Sequence, residues 1–67
     1  MVYVNVTIKG KIESKELWLD LTGFKDINVT DLGNETYVYC QTSMYDATTI
    51  VDICRKYGEV HAEITSI

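Results

Sequence analysis

The sequence predicts an α+β domain, a four-stranded antiparallel sheet with two helices on one face and chain order β-α-β-β-α-β. Three stretches predict it. "VYVNVTIK" alternates apolar and polar residues without a break. "TYVYCQT" alternates again, just after a Gly-Asn turn. "SMYDATTIVDICRKYG" carries apolar residues at helical spacing between a serine and a glycine.

In the first strand, Val2, Val4, Val6 and Ile8 face one side, and Tyr3, Asn5, Thr7 and Lys9 the other. Four β-branched residues on one side mark a half-buried strand, and Gly10 ends it. The segment 14–23 carries two patterns. Leu17, Leu21 and Phe24 make a helical stripe, with Ser14 as N-cap, Glu16 in the first turn and Gly23 near the end. Leu17, Leu19 and Leu21 also alternate as a strand would, although Trp18 adds an apolar residue to the opposite face. A helix is favoured because it completes a repeated βαβ pattern.

The second strand is "DINVTDL", with Ile27 and Val29 inward and Asn28 and Thr30 outward. "GNE" supplies a tight turn, since Gly and Asn tolerate positive φ. The third strand points Val38 and Cys40 inward and Tyr37, Tyr39 and Gln41 outward. In the second helix Ser43 is the N-cap, and Asp46 is placed to reach back as in a capping box. Ala47, Ile50, Val51, Cys54 and Tyr57 form its apolar stripe, and Gly58 suits its C-terminal stop. The last strand turns Val60, Ala62 and Ile64 in, and Glu59, His61, Glu63 and Thr65 out.

This order resembles the ferredoxin-like architecture over nearly the whole chain, in topology alone. The resemblance implies central first and third strands, with the second and fourth at the edges. One face of the sheet is then open, bearing Tyr3, Tyr37, Tyr39 and Gln41 at its centre and His61 toward one edge.

At 67 residues the chain reads as one domain, 1–67. A domain this small buries only about 60% of its unfolded surface, so a partner chain would usefully extend its core. A 46% hydrophobic and 24% charged composition is ordinary for a globular protein and argues against disorder. No apolar run suits a membrane span, and the alternating N-terminus lacks signal-peptide character, so the expected location is cytoplasmic. In that setting the three N-x-T triplets at Asn5, Asn28 and Asn34 are not glycan acceptors.

The net charge of −4 disfavours nucleic acid and anionic membranes, which need Lys and Arg against phosphates. RNA-recognition motifs stack bases on aromatics of this same sheet face. Tyr3, Tyr37 and Tyr39 resemble those aromatics in placement. "NETYVY" nevertheless lacks the basic residue and the glycines of the corresponding strand, and Glu59 and Glu63 share the face.

Chemistry is equally unsupported. Cys40 and Cys54 point into the core and read as buried free thiols. With one histidine and no C-x-x-C there is no metal set, and "GKIESKE" lacks the cysteine pair of ferredoxin-like copper chaperones. Acylphosphatases of this topology cradle phosphate with an arginine in the first loop; Lys11 lacks the bidentate guanidinium. His61 has acids on either side but no nucleophile near it.

The expected function is therefore a non-enzymatic protein–protein interaction or regulatory module without cofactor. It is expected to self-associate as a homodimer through the open face or an edge strand. Tyrosine supports this, being enriched at interfaces for its large area and low entropic cost. The alternative is an acidic inhibitor, for instance of viral origin, that occupies a basic nucleic-acid-binding site through Glu13, Glu16 and Asp20. A small-ligand regulatory domain of the ACT type is a third reading, resting on fold analogy.

Overall fold

The computed structural model describes residues 1–67 and has the expected order: β1 (Val2–Lys9), α1 (Ser14–Leu21), β2 (Asn28–Asp31), β3 (Glu35–Thr42), α2 (Met44–Arg55) and β4 (Val60–Ser66). The four strands form one antiparallel sheet in the order β2-β3-β1-β4, a ferredoxin-like arrangement. The alternation of β1 is realised fully: Val2, Val4, Val6 and Ile8 are buried and face the helices. Val38 and Cys40 of β3 join them from the neighbouring strand, with Thr36 as the buried polar residue of the same row.

Segment 14–21 is a helix, and Leu19 shows why. A strand would bury Leu17, Leu19 and Leu21 together. Here Leu17 and Leu21 are fully buried, while Leu19 is 58% exposed, 200° around the helix from Leu17. The helix starts differently from the sequence reading. Glu13 is the N-cap residue and makes no side-chain cap. The Ser14 hydroxyl instead donates to Asp31 Oδ2 (2.9 Å), tying α1 to the end of β2. Asp31 Oδ1 also accepts the Gly33 N–H (2.8 Å). These two bonds, the Gly33 bond foremost, hold the Asp31 carboxyl below its ordinary pKa.

The second strand is shorter than "DINVTDL". Asp26 has a φ of +59°, a left-handed conformation that breaks any extended run just before Ile27. The β2–β3 hairpin closes with Leu32 N–H on Glu35 O (2.9 Å), and Gly33 supplies the positive φ of its turn.

In α2 the predicted stripe is the core. Ala47, Ile50, Val51 and Cys54 are buried, and Tyr57 packs at the margin. Ser43 Oγ accepts the Asp46 N–H (3.1 Å), which is the expected cap. The Asp46 carboxylate does not complete a capping box; it accepts the Thr42 hydroxyl (3.4 Å). Gly58 does not end the helix in a left-handed turn, since Lys56 is the C-cap in a right-handed conformation and Gly58 has no positive φ. Its small size serves close packing: a Cβ there would lie 3.1 Å from Lys9 O and 3.4 Å from Ile8 Cγ2.

Two predictions follow from these contacts. Leu17→Ala removes a fully buried side chain and should cost about 2–5 kcal/mol in urea denaturation. The Asp31 carboxylate stabilises the fold above its ordinary value of 3.8, and that contribution vanishes as pH falls through the lower folded value. Urea midpoints measured from about pH 5 down to about pH 2 should therefore fall less steeply in Asp31→Asn than in the parent chain.

Candidate functional site

Because both helices cover one face, the other face is open, and the strand registers set its layout. Asn28, Tyr39, Asn5 and Glu63 stand side by side across all four strands. Thr30, Tyr37, Thr7 and His61 form the next row. Gln41, Tyr3 and Thr65 form a third, and Glu35 stands opposite Lys9 at the far end. All five residues expected on this face, Tyr3, Tyr37, Tyr39, Gln41 and His61, therefore share one continuous surface.

The tyrosines are organised. Tyr3 and Tyr39 lie diagonally across the β1–β3 pair and stack, with ring centroids 5.8 Å apart and planes 24° apart. Desolvation, with Tyr3 nearby, raises the pKa of Tyr39. The Tyr37 hydroxyl donates to Glu35 Oε1 (2.8 Å), and that bond and charge hold its proton more tightly. Between Tyr37 and Tyr39 lies a depression of about 360 Å³, lined also by Asn5, Val6, Thr7 and Val38. Tyr37 and Tyr39 stay 42% and 38% exposed, so their rings wall the depression without sealing it.

Charge on the face is mixed. Lys9 stands across from Glu35, and His61 Nε2 lies 3.4 Å from Glu63 Oε1. Carboxylates therefore stand beside both bases of the face. Glu35, a neighbour that the sequence reading did not include, joins the residues of this face through Tyr37. Its signal was available, since i, i+2 spacing puts Glu35 and Tyr37 on one face of a strand.

Glu13, Glu16 and Asp20 lie away from this face, on and before α1. They are not equivalent. Glu13 caps α1, and its carbonyl accepts the N–H groups of Glu16 and Leu17. Asp20 accepts the Tyr57 hydroxyl and lies 3.9 Å from Lys56 Nζ, so its charge is partly compensated within the fold. That hydrogen bond, with burial added, raises Tyr57 to about 12. Trp18 and Leu19 are exposed on the same helix, so its outer surface is partly apolar.

Cys40 and Cys54 are buried free thiols. Cys40 Sγ donates to Lys25 O (3.5 Å), fastening the α1–β2 connection to β3. Burial raises both thiol pKa values, that of Cys54 to about 11. No three His, Cys, Asp or Glu side chains gather as a metal set, and no helix is long and apolar enough to cross a membrane. A second depression, of about 380 Å³, lies between α2 and β4, with Val51, Ala62 and Ile64 as its apolar lining and Thr48, Asp52 and Arg55 on its α2 side.

At pH 8 the folded chain should resist thiol-specific reagents at both cysteines, because burial raises both thiol pKa values and leaves neither side chain accessible. Unfolding in urea should release both; rapid modification of either in the native state would contradict the burial. No protein-family profile, curated protein or solved structure matches this chain.

Proposed function

We propose that this protein is a non-enzymatic protein-interaction module whose contact surface is the open face of its sheet. The observation that carries the reading is the group of three tyrosines on the two central strands, with Tyr3 stacked on Tyr39 and a shallow depression between Tyr37 and Tyr39. Stacking holds Tyr3 and Tyr39 in place before any contact, so less side-chain entropy is lost on binding. Tyrosine contributes large area with few rotatable bonds, and its hydroxyl tolerates a half-wet interface. The mixed charges around the tyrosines favour a protein partner over RNA, which would meet Glu35 and Glu63 as repulsive groups.

The inhibitor reading, based on Glu13, Glu16 and Asp20, has less support in this geometry. Asp20 is engaged with Tyr57 and Lys56, and exposed Trp18 and Leu19 interrupt the acidic surface.

Affinity capture from the native host with the parent chain and with Tyr37→Ser/Tyr39→Ser tests the proposal. The double variant should fold with little loss of stability, since both side chains are partly exposed, and should lose the captured protein. Equal capture by both chains would remove the face from the function. A double variant that fails to fold would show the tyrosines to be part of the core.

A further inference from the structure

The edge of β4 is the least protected part of the sheet. The main-chain N–H of Lys9 donates to Glu59 O (2.8 Å), and Lys9 stands opposite Glu59 when the β1–β4 register is extended by one residue. In an antiparallel ladder, bonded and non-bonded pairs alternate. Glu59, His61, Glu63 and Thr65 therefore turn their main-chain groups toward β1. Val60, Ala62, Ile64 and Ser66 turn theirs outward, to the free edge. The same alternation at the opposite edge, anchored by Leu32 N–H on Glu35 O, leaves outward groups only on Val29 and Asp31 of the short β2. That edge is blunted by its length and by the Asp31 charge. β4 is longer, runs in unbroken register and contains no proline or lysine, and its charged residue Glu63 lies on the open face and not on the helix face as Asp31 does.

We propose that β4 pairs antiparallel with β4 of a second copy of this chain about a twofold axis at Ala62, joining two sheets into one of eight strands. The main-chain pairing uses the strand edge and none of the tyrosines, although His61 and Glu63 stand at the β4 margin of the open face, and it does not depend on that face binding a partner.

Charge and strand length select the register. An axis at Ile64 sets Glu63 opposite the partner's Thr65 with no opposite charge to meet, and one at Val60 runs most of β4 past the end of the partner strand. Outward main-chain groups must meet outward groups, so a residue must lie on the axis. An axis at His61 sets Glu59 against the partner's Glu63, twice over, and one at Glu63 sets Glu63 against the partner's Glu63. Like charges directly opposite are destabilising. An axis at Ala62 sets His61 opposite the partner's Glu63, and Glu63 opposite the partner's His61. With His61 already 3.4 Å from Glu63 in its own strand, the four side chains alternate around the axis. On the helix face the same register puts Ile64 opposite the partner's Val60 and Ala62 opposite the partner's Ala62. Ile64 is 37% exposed in the single chain and borders the α2–β4 depression, so this pairing covers apolar surface that the chain leaves open. The contact is isologous and closes at two copies, because only the short β2 edges remain outside.

Sedimentation velocity on the parent chain should show a dimer that persists into the micromolar range. His61→Glu faces two carboxylate pairs at the axis and should weaken the dimer about tenfold or more, as should Glu63→Lys, which faces His61 with an ammonium. Mixing the two variants should restore it, because each pair in the mixed dimer then joins a base to an acid. Ala62→Pro removes the outward N–H at the axis and should leave a folded monomer, with folding checked by circular dichroism. If that variant does not fold, the charge-variant mixture decides alone. A parent chain that stays monomeric at high micromolar concentration would overturn the proposal, as would a mixture no tighter than its components. Loss of the dimer in folded Tyr37→Ser/Tyr39→Ser would place the contact on the sheet face and overturn it too.

Discussion

Val2, Val4, Val6 and Ile8 enter the space beneath the two helices from a strand bonded on both sides, and every other element is positioned by that burial. β3 and β4 take their registers from β1, and β2 takes its register from β3. α2 lies over β1 through Ala47, Ile50, Val51 and Cys54, while α1 contributes Leu17 and Leu21 from the side. The close approach at Gly58, where the chain returns beside Lys9 and Ile8, belongs to the same constraint. A side chain there would require Lys9 O to give way by a few tenths of an ångström.

A core of twelve buried residues in a chain of this length is thin, and its thinness has a direction. The side of the sheet under α1 and α2 is closed at β1 and β3. It is only half closed at β4, where Val60 and Ala62 are partly buried and Ile64 is exposed. The surface the chain fails to bury by itself is therefore the inner side of one edge strand, and the main-chain groups of that edge are free as well. An apolar strip and an unpaired ladder coincide along β4, whereas the tyrosine face is separate, on the other side of the sheet. The two surfaces leave room for both self-pairing and a second contact.

Much of the fold was legible because strand and helix periods differ. β1 and α2 each repeat one period long enough to admit no other reading. The segment 14–23 was ambiguous because Leu17, Leu19 and Leu21 fit both periods, and packing against α2 resolved it by leaving Leu19 outside. The errors lie at the ends of elements. Ser14 has the residue type of a cap, but its hydroxyl donates to Asp31 and leaves the local backbone uncapped. Asp46 turned to Thr42 for a similar reason. Gly58 has the residue type of a helix stop, but it lies in close contact with residues some fifty positions away in the chain. No local pattern reports partners as distant in the chain as Asp31 for Ser14 or Lys9 for Gly58.

Of the candidate site, the sequence by itself determined which residues face outward, because side-chain direction in a strand follows parity alone. It therefore placed Tyr3, Tyr37, Tyr39, Gln41 and His61 on one surface once the strand order was inferred. Tertiary structure alone decided how they meet. The β1–β3 register puts Tyr3 diagonal to Tyr39 so that the rings stack, and it sets Tyr37 beside Glu35 at the margin of a depression. It also decided that Asp20 is held by Tyr57 and Lys56 across the α1–α2 contact. Periodicity is a property of a few neighbouring residues, whereas register and helix docking are set by the packing of the whole core.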